Sequence, residues 1–280
     1  MPRSTHLFLA LTLASAPLAL ACTGSHHPGT TPVATGNLTL PLAPRVVGIR
    51  WTKVDDTITD LEVGTGPGAI PVGGKQHHRT ESEILAVGAD GIVTKLAVSY
   101  PERVDTAAGP DGAAEPSPLA GKSYVAWVEG GAIAATHADG SPVSAAELAE
   151  LADQDELGKP PVMESIMASR TWKANETYAF SAGELMRLAE SKDGKGPQAT
   201  ALTLTLTRVV GSAAEFAMTM KLERADGPTM TVDITGTITI DTATGRPRRI
   251  EISGPVTGDA GCMAISGTMS GLITYEFTGP

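Results

Sequence analysis

Leu202-Thr203-Leu204-Thr205-Leu206-Thr207 is the stretch that decides the fold. Leucine and threonine alternate with period two. A strand points successive side chains to opposite faces, so this pattern gives one buried face and one wet face. The pattern spreads outward from there. Phe216, Met218, Met220 and Leu222 keep the period, and Met230, Val232 and Ile234 alternate with Thr231, Asp233 and Thr235. Ile238 and Ile240 alternate with Thr237 and Thr239, and Ile250, Ile252, Ile273, Tyr275 and Phe277 close the series. Turn residues separate these runs at hairpin spacing, which predicts an antiparallel meander.

The first half reads in the same way with shorter runs. Residues 46–51, 57–63, 82–87, 92–100, 123–128 and 132–136 are strand-like, with an Asp90-Gly91 hairpin turn. Residues 64–75 and 105–120 read as loops rich in Gly or Pro. Ser144-Ala-Ala-Glu147 and Ser181-Ala-Gly-Glu184 are capping boxes, in which serine and glutamate each accept an exposed backbone N–H of the other, so each opens a short helix. Gly158 and Pro160-Pro161 stop the first helix. A Gly-x-Ile-x6-Gly-x-Pro echo occurs at Gly131, Ile133, Gly140, Pro142 and again at Gly236, Ile238, Gly245, Pro247. The predicted fold class is therefore mainly β. It is a large antiparallel sheet with one or two short helices, built either as one meander or half-barrel or as two related halves, about 43–160 and 161–280.

The N-terminus carries a different signal. Residues 1–21 hold one early charge, Arg3, then an apolar run from Leu7 to Leu20 and a small residue, Ala21, before Cys22. That is the anatomy of a bacterial export signal. The run is about fourteen residues, against the ~20 that a spanning helix needs. Ala19-Leu20-Ala21-Cys22 resembles the lipobox of bacterial lipoproteins, with Ala19 where leucine is usual. The resemblance covers about the first 22 residues. It implies cleavage before Cys22 and lipidation of that cysteine, which makes the membrane a partner. Thr23, rather than aspartate, follows the cysteine, which favours an outer-membrane lipoprotein on the periplasmic face or the cell surface. Residues 22–42, rich in Gly, Thr, Pro and His, read as a tether reaching roughly 25 Å. Residues 43–280 form the β-rich domain.

Composition narrows the partners. Net charge is −10, and residues 1–21 carry only Arg3, so the remainder carries −11. That balance argues against nucleic acid. Aromatic residues are 4% of the chain, too few for stacking platforms. Cys262 is the only cysteine besides Cys22, so lipidation of Cys22 leaves it unpaired. It reads as a buried small hydrophobe.

The chemistry-bearing residues form no known motif. His77-His78 and His137 could meet zinc with a carboxylate, but adjacent histidines on a strand point to opposite faces. His26-His27 lies in the tether. Asp55-Asp56, Asp60 and Glu62, and separately Asp153, Asp155 and Glu156, read as solvated acidic faces. Arg246-Pro247-Arg248-Arg249 reads as a solvated turn or a phosphate contact, and the threonine rows as wet-face strand residues or a binding surface. No catalytic, cofactor or metal residue is assigned. The expectation is a non-catalytic envelope lipoprotein that binds or scaffolds an apolar ligand or an envelope protein. A many-stranded sheet with helices on its concave side also resembles, at the level of fold, the half-barrel of lipoprotein carriers and related lipid-binding lipoproteins, which implies a lipid ligand. The alternatives are an envelope hydrolase with a carboxylate and histidine site, and a surface adhesion or assembly module.

Overall fold

The computed structural model describes residues 36–42, 45–64, 66–108, 117–152, 156–190, 198–224, 229–261 and 263–279. The export signal, most of the tether, Cys22 and Cys262 lie outside the described residues. The elements run β1 (Asn37–Thr39), β2 (Arg50–Val63), β3 (Ile70–Pro71), β4 (Gly73–Val87), β5 (Val93–Ala108), β6 (Ser123–Glu129), β7 (Ala132–His137), α1 (Ala145–Leu151), α2 (Val162–Ala168), β8 (Thr171–Lys173), β9 (Thr177–Ala179), α3 (Ala182–Glu190), β10 (Gln198–Val210), β11 (Ala213–Arg224), β12 (Thr229–Asp241), β13 (Pro247–Ala260) and β14 (Met263–Thr278).

Among the described residues, twelve strands form one antiparallel sheet in the order β7-β6-β5-β4-β2-β14-β13-β12-β11-β10-β9, with β3 on β2. It is two meanders joined where the first long strand pairs with the last. Arg50 through Val63 lie opposite Thr278 through Ile265 in unbroken register. The sheet does not close: β7 and β9 are its edges. Its inner face carries the apolar residues and is covered by three short helices.

The alternation read from 202–207 holds through the second meander. Leu202, Leu204, Leu206, Phe216, Met218, Val232, Ile234, Ile238, Ile252, Val256 and Met269 are buried in one cluster. Val162, Ile166 and Met167 of α2 and Leu185 of α3 pack onto it. Burying each such side chain contributes about 1.5–3 kcal/mol. Gly236 and Gly254 sit on this face where strands approach closely. A Cβ at Gly236 would lie 2.0 Å from the Glu251 carbonyl oxygen, and one at Gly254 1.9 Å from that of Asp233. Only glycine fits there. In the first meander the buried residues form two smaller clusters. One holds Ile49, Trp51, Ile84, Val93, Leu96, Ala126 and Leu157, and the other Val98, Tyr100, Leu119, Tyr124 and Leu151.

Several expectations change. The structure has a third helix, α2, which begins directly after Pro161. Proline lacks the N–H that a first helical turn leaves unpaired, so the Pro160-Pro161 stop also serves as a start. Strands β4 and β5 extend into both predicted loops, because their polar residues pair across strands. Asn37–Thr39, at the end of the predicted tether, pairs with β8, and Leu40 is buried in the larger cluster. The Gly-x-Ile echo does not mark equivalent places. Gly131 lies in the β6–β7 turn with φ of 83°, whereas Gly236 is mid-strand opposite Ile252. The helices also differ in order, since α1 follows the first meander and α3 precedes the second.

Candidate functional site

Polar chemistry concentrates on β2, β4 and β5. The register sets Asp55 opposite His78 and Asp56 opposite His77, so the two acidic residues face the two histidines residue for residue. Strand alternation then sends one pair to each face of the sheet.

On the inner face, Asp55, Thr57, His78 and Ser82 are buried. His78 Nε2 lies 2.7 Å from Asp105 Oδ1, and Lys53 Nζ lies 3.3 Å from Asp55 Oδ2. Arg103 Nη2 reaches Glu150 of α1 at 3.3 Å, and the Ser117 hydroxyl donates to the same carboxylate at 2.8 Å. The Tyr100 hydroxyl and Arg103 Nε are buried there without a hydrogen-bond partner among the described residues. Burial pushes the Tyr100 phenol up. On the outer face, His77 lies between two carboxylates. Its Nδ1 is 2.6 Å from Asp56 Oδ1 and its Nε2 is 3.0 Å from Glu102 Oε2. Those bonds raise the His77 pKa, Asp56 contributing most.

The two capping boxes repeat a docking device. Glu147 accepts from Lys122 Nζ at 2.8 Å, from the Tyr124 hydroxyl at 3.0 Å and from the Ser144 backbone N–H at 2.7 Å. The Lys122 ammonium, then Ser144 and Tyr124, hold its carboxyl well below the usual carboxylate range. Glu184 accepts from the Tyr178 hydroxyl at 2.6 Å, Arg170 Nη2 at 2.7 Å and the Ser181 backbone N–H at 2.8 Å. Burial opposes ionisation there, yet Tyr178, Ser181 and Arg170 lower its pKa to about 2. Each box thus ties its helix to a strand tyrosine and to a cation.

An open groove of about 510 Å³ crosses the outer face near one end of these strands. Two cross-strand rows line it. One runs Glu276–Thr52–Glu81–Ser99–Ser123 and the other Thr278–Arg50–Glu83–Ala97–Val125, over β14, β2, β4, β5 and β6. Arg50 binds Glu83 through two bonds of 2.9 and 3.2 Å, and Arg79 binds Glu81 at 2.8 Å. Glu276 has no partner among the described residues. The groove offers an apolar strip at Ala97 and Val125, hydroxyls at Thr52, Ser99, Ser123 and Thr278, and one free carboxylate. Sequence reading assigned none of these residues to a site, since no local pattern marks residues that meet only across strands.

His137 Nε2 lies 3.5 Å from Glu147 Oε1, far along the sheet from His77. Among the described residues no group of three or more His, Cys, Asp or Glu is arranged to hold a metal ion. Asp60 and Glu62 are exposed on β2, Glu156 is half-buried, and Asp153 and Asp155 lie outside the described residues. In the arginine turn, Arg248 binds Asp241, Arg249 binds Glu251, and Arg246 stacks 4.9 Å over the Phe277 ring. In the threonine rows, Thr203 and Thr219 hydroxyls bond each other at 2.6 Å, and Thr177 and Thr205 at 2.8 Å.

No protein-family model matches the chain, and no curated protein matches it. Among solved structures it is similar to lipovitellin, in a structure describing lipid–protein interactions in that protein, with 9% identity and a TM-score of 0.40. The match covers 83% of this chain and 26% of that one, so this chain spans about a quarter of lipovitellin's length.

Proposed function

We propose that this chain is a bacterial envelope lipoprotein that binds or scaffolds without catalysing, and that its ligand lies in the outer-face groove. The anchor rests on Ala19-Leu20-Ala21-Cys22 and the apolar run before it. A lipidated Cys22 places the domain at the outer membrane, on its periplasmic face or on the cell surface. The observation that carries the binding reading is the groove. Its volume, about 510 Å³, falls in the range of ~300–1,000 Å³ typical of ligand sites. The ligand is an elongated amphiphile, with its apolar body along Ala97 and Val125 and its polar end among the hydroxyls and Glu276. This keeps the apolar ligand of the sequence expectation but seats it on the outer face, since the inner face is filled by packed side chains.

Two measurements test the proposal. The full chain expressed in a bacterium is expected in the membrane fraction, and Cys22→Ser is expected to release it. A Cys22→Ser chain that stays with the membrane would overturn the anchor. Native mass spectrometry of that released chain is expected to show a stoichiometric small-molecule mass that disappears in Ala97→Trp, which fills the groove. A ligand that survives Ala97→Trp binds elsewhere, and a bare protein mass overturns the small-ligand reading.

A further inference from the structure

We propose that His77 is a proton-gated clip across β2, β4 and β5, and that its protonation state adjusts the groove built on the same strands. Both ring nitrogens of His77 lie at hydrogen-bond distance from carboxylate oxygens, 2.6 Å from Asp56 and 3.0 Å from Glu102. An ionised carboxylate only accepts, and a neutral imidazole has a single N–H. Only the imidazolium, with two N–H groups, satisfies both contacts. When it loses its proton, one nitrogen lone pair faces a carboxylate at contact distance, and that contact becomes repulsive.

The partners sit on different strands. Asp56 belongs to β2 and Glu102 to β5, with His77 on the strand between them. The remaining charges facing His77 on this side are Lys75 and Arg79, its same-face neighbours on β4, and Arg79 is bound to Glu81. On β2 its other near neighbours are Val54 and Ile58, and on β5 Val104 and Thr106, none of them charged. Deprotonation therefore leaves Asp56 and Glu102 to Lys75 and to Arg79, which lies directly opposite Glu102 and is already held by Glu81. The raised His77 pKa agrees with this geometry.

The groove is four residues along on β2 and β4, from Asp56 to Thr52 and from His77 to Glu81, and three along on β5, from Glu102 to Ser99. That is roughly 10–13 Å at ~3.3 Å per residue. A change in how β2, β4 and β5 sit together at the clip is carried to the groove floor along β2 and β4, which pair without a break, while β4 and β5 pair on both sides of a register shift between Arg79 and Glu81. The clip is closed in acid and opens as the pH rises through the His77 pKa. The inference goes beyond the ligand reading and does not need a ligand for its test.

The experiment is an NMR titration of the full-length chain. The His77 ring is expected to titrate above the ordinary histidine value of ~6.5. The amides of Thr52, Glu81 and Ser99 are expected to shift with that same midpoint. Glu102→Gln is expected to lower the midpoint, and His77→Gln to abolish the coupled amide shifts. A ring that titrates at or below the ordinary value would overturn the clip. Groove amides that ignore the His77 midpoint, or that still shift in His77→Gln, would overturn the coupling. Should His77→Gln fail to fold, Glu102→Gln alone decides the clip.

Discussion

The two meanders of this sheet solve the same problem with different materials. The second, β10 to β14, has a single dry cluster on its inner face and threonine on its outer face. The first, β2 with β4 to β7, divides its apolar residues between two clusters and buries Asp55, His78, Ser82 and Glu147 as well. A dry face gains stability from area and is indifferent to pH. A buried polar group contributes only while its partners are present and correctly protonated. The second meander thus carries the main core, and the first carries most of the polar chemistry: the histidine clip, the two unpartnered polar atoms and the groove, which borrows Glu276 and Thr278 from β14.

The largest expected effect strikes the dry half. Leu204→Ala in the larger cluster is expected to cost about 2–5 kcal/mol, read as a fall in the urea midpoint. Leu96→Ala in the first meander is expected to cost a similar amount but to raise hydrogen exchange in β4 to β7 ahead of β10 to β13. Uniform loss of protection across both meanders would erase the distinction between them.

Acid separates the two capping boxes next. A carboxyl whose folded pKa is depressed contributes stability that is present above its unfolded value and lost as pH falls toward the folded one. Glu184 is expected to release α3 as pH falls from 4.5 toward about 2, and Glu147 to hold α1 to still lower pH. Helix-specific exchange at pH 3 would show α1 protected beyond α3, and the reverse order would break the assignment. Smaller still, Tyr100→Phe removes a buried hydroxyl that has no partner. Its thermal midpoint is expected to stay level or to rise by the equivalent of up to about 1 kcal/mol. A clear loss would reveal a partner for that hydroxyl. Smallest of all, Thr203→Val breaks one outer-face hydroxyl pair and is expected to change stability by no more than about 0.5 kcal/mol. A larger fall in the urea midpoint would give the threonine rows a structural role.

The second meander was legible in the sequence because its signal is local. Leu202 to Thr207 carries its own face assignment, and both Ser-x-x-Glu boxes form as read. The first meander was less legible for a physical reason. Its strands run through Lys53-Val-Asp-Asp56 and Gln76-His-His-Arg79, where polar residues occupy both faces and the period-two contrast vanishes. Asp56 read as part of a solvated acidic face and His77 was assigned to no site because they meet only across strands, far apart in sequence. Asp56 and Glu102 lie 21 and 25 residues from His77. The splitting of the two histidines between faces was predictable, since it needs only the geometry of one strand.

The sequence by itself determined that this chain is a β protein, which side chains share a face within each strand, and where two of its helices begin. These are consequences of backbone geometry acting over a few residues. Only the tertiary structure decided that β14 pairs with β2, that Asp55-Asp56 stands against His77-His78, and that two rows of residues across five strands line one groove. Register between strands is set by the joint burial of whole faces, and that free energy belongs to the assembled sheet rather than to any one stretch of sequence.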